Sequence, residues 1–270
     1  MHPPVVAVAL TTPVADPDRR FSALERLYGV QPARRIRAAH VVVVGIGGVG
    51  SWAAEALARS GVGHLTLIDL DHIAESNINR QVHALESTVG QAKVQAMRER
   101  IAGIHPQCQV TCIEEFVDQD NWPALLAGVS VDAAVDACDQ VRAKLAMAVW
   151  ARNSSQVHFI AAGAAGGKRQ AHLVDIADLS ACTHDPLLAQ VRNRLRKEHG
   201  APREGRKIGV ACVFSREPVQ AADASCAIEA SDGSLNCHGY GSLVSVTATF
   251  GQCAAGWVLN QIATLASATA

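Results

Sequence analysis

His40-Val-Val-Val-Val44, Gly45-Ile-Gly-Gly-Val-Gly50 and Ser51-Trp-Ala-Ala-Glu-Ala-Leu-Ala-Arg-Ser60 form one continuous stretch. The β-branched run suits a strand buried on both faces, as in a parallel sheet. The segment after the glycines is rich in Ala and stops at Gly61, which marks a helix. Leu65 to Asp69 reads as a second strand and completes a β-α-β unit. Gly45, Gly47 and Gly50 have G-x-G-x-x-G spacing at the strand-to-helix junction. Glycines there let the backbone turn tightly and approach phosphate, and the helix N-terminus supplies N–H groups and dipole. Asp69 lies where a carboxylate can hold ribose hydroxyls. The stretch predicts a nucleotide-binding, Rossmann-like unit without saying which nucleotide. A glycine turn needed only for packing is the competing reading.

Outward from this unit the alternation continues. Arg20 to Arg37 reads as helical, and Ser87 to Ile101 as a helix capped by Ser87 or Thr88. Strands are expected at Cys108 to Ile113, Val131 to Asp136 and Val157 to Ala162, with helices at Asn121 to Ala127 and Val141 to Arg152. Strand and helix in turn predict an α/β fold, a doubly wound and mostly parallel sheet. After Gly163 the pattern changes to a C-terminal extension. Gln170 to Ile176 alternates and suits an antiparallel strand, Leu187 to His199 is a basic helix, and Lys207 to Phe214 another strand. Ser215 to Asn236 has no periodicity and reads as a mobile loop. A flexible arm, 1–19, followed by one domain, 20–270, fits the 270-residue length.

Composition narrows the class. The net charge of −1 gives no global sign of nucleic acid or membrane, although a local patch can act alone. No C-x-x-C pair occurs among the eight cysteines, so no tetrathiolate zinc site is expected. Scattered cysteines, and no basic n-region in Met1 to Pro13, suit a cytoplasmic protein without a secretory signal. Gly233 to Ala270 contains no charged side chain, and a hydropathy scan could choose Tyr240 to Leu259 as a membrane span. Its Ser, Thr, Gln, Asn and Gly content favours a helix buried in the core or a dimer interface instead.

The residues after the second strand bear on the nucleotide. Asp69 and Asp71 are followed by Asn77, Asn79, Arg80 and Gln81. A nicotinamide-binding protein has no need of that cluster beyond its ribose acid. A triphosphate does, because amides and a guanidinium can neutralise β- and γ-phosphates during attack at the α-phosphorus. Lys93, early in the next helix, could reach the same phosphates or be an ordinary solvated lysine. Asp139 follows a strand at the edge where open sheets bind ligands, and could hold Mg²⁺ or cap the next helix.

Together, Gly45 to Gly50, Ile68-Asp-Leu-Asp71, Ser76-Asn-Ile-Asn-Arg-Gln81, Lys93 and Asp136-Ala-Cys-Asp139 resemble the ubiquitin-activating-enzyme-like (HesA/MoeB/ThiF) superfamily. Its bacterial members adenylate carboxylates. The resemblance implies that Asp69 binds ribose, that Asn77, Arg80 and Lys93 act on phosphates, and that Asp139 acts on Mg²⁺. It also implies a homodimer in which an N-terminal arginine, best matched by Arg26, enters the neighbour's site.

Sulfur-carrier adenylyltransferases of this superfamily usually carry two C-x-x-C pairs, which are missing here. Asn79-Arg-Gln-Val-His-Ala-Leu85, Ala162-Gly-Ala-Ala-Gly-Gly167, Asp185-Pro-Leu187 and Val246-Thr-Ala-Thr-Phe-Gly251 look instead like the tRNA threonylcarbamoyladenosine dehydratase branch. That likeness spans about Arg20 to Leu259. It implies ATP-dependent cyclisation of threonylcarbamoyladenosine through an acyl-adenylate. The alternative is adenylation of a ubiquitin-like carrier. Cys237 matches a cysteine of the branch that could accept an acyl group, or is an incidental thiol, and Cys226 is a weaker candidate. Arg192, Arg194, Arg196 and Lys197, with Lys168 and Arg169, make either a tRNA-binding patch or a solvated helix face. A monovalent cation and a sulfur-transfer partner remain open on the sequence.

Overall fold

The computed structural model describes residues 15–154, 156–203, 205–221 and 240–264. Helices α1 (Pro17–Tyr28) and α2 (Val30–Ala38) precede β1 (His40–Val44), α3 (Gly50–Arg59) and β2 (His64–Ile68). Then come α4 (Lys93–Ile104), β3 (Gln109–Ile113), β4 (Ala133–Asp136), α5 (Val141–Asn153) and β5 (His158–Ala162). The C-terminal part adds β6 (Val174–Asp178), α6 (Pro186–Glu198), β7 (Ala211–Ser215) and α7 (Val244–Thr264).

The sheet order is β3-β2-β1-β4-β5-β7-β6, parallel except for the β6–β7 pair. The chain moves from β1 to one side through β2 and β3, then crosses to β4 and β5 on the other. The strand order therefore reverses between β1 and β4, and their C-terminal ends open the crevice where such sheets bind ligands. β1 is buried along its whole length, as its valines require. One apolar layer packs α3, α4 and α7 on one face of the sheet, and a second packs α5 and α6 on the other.

The uncharged C-terminal stretch is explained by α7. Its Val246, Phe250, Ala254, Val258 and Ile262 are buried at helical spacing. Gly251 lets it cross the start of α3 closely, since a Cβ there would come within 2.5 Å of the Val49 carbonyl oxygen. Among the described residues, no helix is long and apolar enough to cross a membrane.

Several expected boundaries move. The helix expected over Arg20 to Arg37 breaks at Gly29, whose φ of 90° is left-handed, and begins earlier, because Asp16 caps Pro17–Tyr28 inside the expected arm. The helix expected from Ser87 starts at Lys93. Glu86–Thr88 is a separate 3-10 turn, tied by the Thr88 hydroxyl to Leu85, and Gly90 (φ 87°) interrupts the path. Asn121 to Ala127 shrinks to a 3-10 turn at Ala124–Leu126. The strand expected from Lys207 begins at Ala211, because Ile208 and Gly209 donate their N–H groups to the Asp178 carboxylate rather than to a neighbouring strand. Most of the loop expected over 215–236 lies outside the described residues, as do Cys226 and Cys237.

Candidate active site

The glycine loop leaves β1 with the Gly45 N–H donating to the Ile68 carbonyl, and Gly45 has a φ of 84°. A Cβ on Gly50 would stand 1.8 Å from the Gly45 oxygen, so the loop can turn into α3 only without a side chain there. Asp69 closes the loop from the next strand. Its Oδ2 accepts from the Ile46 N–H at 2.6 Å and its Oδ1 from the Asp71 N–H at 2.8 Å. Burial raises the Asp69 pKa, against the nearby Lys93 charge and these two N–H donors.

The Asn77–Gln81 cluster is fastened over the loop from two sides. The Trp52 indole in α3 donates to the Arg80 carbonyl at 3.0 Å, and the Asn79 amide donates to the Ser242 carbonyl at 3.2 Å. Arg80 lies across Gly48, where an added Cβ would meet its side chain at 3.3 Å. Lys93 is not a solvated lysine: it is 5% exposed, and its Nζ is 2.6 Å from Asp71 Oδ2. Asp139 does not cap α5. The capping position is Gln140, which makes no side-chain cap bond, and the half-buried Asp139 carboxylate faces the cleft.

These groups line one cavity of about 390 Å³. Gly45, Gly47, Gly48, Asp69, Asp71, Asn77, Arg80, Gln81, Lys93 and Asp139 all border it, with Gly50 beneath. A larger groove of about 540 Å³ runs along one face of α5 and is lined in part by Trp122 and Trp150, and none of the residues selected from the sequence lines it. Among the described residues no group of three or more His, Cys, Asp or Glu side chains converges as a metal site. Beside nucleotides Mg²⁺ is usually held by one or two carboxylates together with phosphate oxygens, and the Asp139 carboxylate fits that set.

The glycine loop, Asp69, Arg80, Lys93 and Asp139 thus meet in one crevice. The model of the ThiF family matches residues 20–269. The chain belongs to the ThiF family. It is 41% identical to tRNA threonylcarbamoyladenosine dehydratase of Escherichia coli (strain K12), covering 90% of this chain and 93% of that one. The crystal structure of the E. coli tRNA N6-threonylcarbamoyladenosine dehydratase in complex with ATP superposes with a TM-score of 0.81 at 39% identity, covering 91% of this chain and 94% of that one. Molybdopterin-synthase adenylyltransferase of Salmonella typhimurium is also 41% identical, but over 39% of this chain and 42% of its own.

The remaining sequence-selected residues of this ThiF-family chain fall elsewhere. Arg26 is exposed near the end of α1 and lines neither of these two cavities. Lys197 and Arg169 are exposed. Arg192 donates to the Leu179 and Cys182 carbonyls, Arg196 to the Pro202 carbonyl, and Arg194 pairs with Glu198. Lys168 does not belong to any surface patch. It is 2% exposed and donates to the carbonyls of His184 and Glu217, so its charge is spent inside the protein.

Three features had no role in the sequence reading. Asp136 and Lys144 are fully buried below the cleft, 3.0 Å apart. Burial raises the Asp136 pKa more than Lys144 lowers it, while burial of the Lys144 ammonium is outweighed by Asp136 and its neighbours, so that group stays protonated. Cys138 borders the cleft, but its thiol donates to Asp136 Oδ1 at 3.1 Å, and burial pushes its pKa well up, so it is a poor nucleophile. His83 is 2% exposed with neither ring nitrogen hydrogen-bonded, and burial lowers its pKa to about 4. Asp136 and Cys138 stood in the quoted Asp136-Ala-Cys-Asp139 stretch and His83 in Asn79 to Leu85, with no role assigned to them; nothing local marked Lys144.

Proposed function

We propose that the chain uses ATP to dehydrate threonylcarbamoyladenosine in tRNA. The observation that carries this reading is the convergence of the glycine loop, Asp69, Arg80, Lys93 and Asp139 on one cleft, in a chain similar along its length to a dehydratase. Loop N–H groups and the start of α3 receive phosphate, and Asp69 receives ribose hydroxyls. Arg80 and Lys93 neutralise charge that grows on the phosphates. Asp139 would help to hold Mg²⁺, and the ion would supply further charge neutralisation.

In the first step a carboxylate oxygen of the substrate bonds to the α-phosphorus and pyrophosphate leaves. The ureido group of the same substituent then attacks the activated carbonyl. A five-membered ring closes, AMP leaves, and the ureido proton is lost to solvent. The second step is intramolecular, so proximity supplies much of its rate. The exposed Lys197 and Arg169, with the outer parts of Arg194 and Arg196, form the tRNA phosphate contact. The active form is a homodimer, with Arg26 reaching the partner's cleft; its exposure and its absence from the cleft of its own chain support this.

Pyrophosphate exchange tests the reading. It should require both ATP and tRNA carrying threonylcarbamoyladenosine. Exchange stimulated only by a small ubiquitin-like carrier would replace it with carrier adenylation.

A further inference from the structure

A second cavity, about 200 Å³, adjoins the nucleotide cleft, and the two share Arg80, Ala137, Cys138 and Asp139 as a common wall. Beyond that wall its described lining residues are uncharged. Val49, Leu187 and Val219 give it apolar sides, and Gln190, Tyr240 and Thr247 give it neutral polar ones. Among the described residues, Arg80 and Asp139 are its only charged lining residues.

The cavity is held in shape by buried polar contacts. Gly163 packs against Asp185, where a Cβ would lie 2.0 Å from Oδ2, and that oxygen accepts from the Ala164 N–H at 2.9 Å. The Gly167 N–H donates to the Gly241 carbonyl at 2.8 Å, and the Gln220 N–H donates to the Gly167 carbonyl at 2.9 Å. The next residue, Lys168, ties the same turn to His184 and Glu217. The turn at 163–167 thus fixes the segments that carry Gln190, Val219 and Tyr240.

We infer that this second cavity is the acceptor pocket, taking the threonylcarbamoyl substituent of the modified adenosine, with Gln190 and Tyr240 as its specificity-determining side chains. The inference rests on the dehydratase reading. The substituent carries one charge, its carboxylate, at one end, and neutral ureido, hydroxyl and methyl groups elsewhere. A lining charged on a single wall matches that distribution. The charged wall is also shared with the nucleotide cleft, so a carboxylate there faces the phosphates. The volume lies below the ~300–1,000 Å³ of pockets for drug-sized ligands, which suits a substituent rather than a whole nucleotide. The Gln190 amide can both donate to and accept from the threonyl hydroxyl. Tyr240 lies over Gly166, with 41% of its surface exposed, and offers a ring on which the adenine can stack.

Both side chains are exposed, so replacing them leaves the core intact. The test uses Gln190→Leu and Tyr240→Ala in the full chain. Pyrophosphate exchange is followed with tRNA bearing either threonylcarbamoyladenosine or glycylcarbamoyladenosine, and ATP affinity is measured separately. Each variant should keep ATP affinity within about twofold and raise KM for the threonylcarbamoyl tRNA by ~10-fold, the scale of one lost polar contact or stack. Gln190→Leu should also lose the unaltered enzyme's preference for the threonyl over the glycyl substrate. Unchanged KM and unchanged preference in both variants would overturn the pocket assignment. Absence of tRNA-dependent exchange in the unaltered enzyme would instead overturn the dehydratase reading.

Discussion

Replacing Lys93 by methionine separates what this side chain does for the fold from what it does for the reaction. Methionine keeps the buried aliphatic stem and removes only the ammonium. The Asp71 side chain left behind is 50% exposed and can be rehydrated, so the lost pair costs about 1 kcal/mol or less. For a domain of this size that is a fall in Tm of roughly 2–4 °C. The effect on chemistry is larger. Unit charges 4 Å apart interact by about 4 kcal/mol at an effective dielectric of 20, and loss of one charge-stabilising group in an active site typically costs ~10²–10³ in rate. Pyrophosphate exchange at saturating ATP and tRNA should therefore fall ~10²–10³-fold while thermal unfolding barely moves. A second readout follows from Asp69. Its pKa is raised by burial and held back by Lys93, so removing that charge raises it further. Ribose binding needs the ionised carboxylate, so the acid limb of the pH profile should move to higher pH. An exchange rate within tenfold of the unaltered enzyme, with the acid limb in place, would refute the phosphate role of Lys93.

The other expectations concern the loop and the buried groups. Gly50→Ala forces a Cβ to within 1.8 Å of the Gly45 oxygen; calorimetry should show ATP binding lost, and urea unfolding a cost of ~1–3 kcal/mol. Lys144→Met strands a buried Asp136 and should destabilise by ~3–5 kcal/mol in urea melts, with much of the loss recovered when Asp136→Asn is added. The His83 pKa falls from 6.5 to about 4 on folding, so the unfolded chain binds the proton first. Its contribution is fully present above the unfolded value and is lost as pH falls through the folded one, ~3 kcal/mol in all. His83→Leu should flatten stability between those values; an unchanged acid transition would count against the buried neutral ring. Equilibrium sedimentation should give a dimer, and Arg26→Ala should leave it dimeric while lowering exchange.

Local sequence determined much of this protein. A β-branched strand, a glycine turn and an Ala-rich helix follow from short-range sterics and periodicity, and so do β1, its loop and α3. The cluster from Asn77 to Gln81 and Asp139 was legible for a related reason. Ligand groups in open α/β sheets gather at strand ends, so chain position alone foretells their edge of the sheet. Where the helix over Ser87 began was not legible, because a Thr88 side-chain bond and a left-handed Gly90 outweigh helix propensity there.

Charge was the property the sequence could not assign. Lys93, Lys144 and Lys168 look alike in a string of letters, yet all three are buried with different partners. Lys93 meets Asp71 across 22 positions, and Lys168 meets carbonyls 16 and 49 positions away. A lysine's role depends on what distant segments bring within about 3 Å of its ammonium, and on how much water they exclude. The sequence determined that this chain binds a nucleotide along one edge of a parallel sheet. Only the tertiary structure decided which charges line the cleft at that edge, which are consumed in the core, and that a second cavity opens beside the cleft.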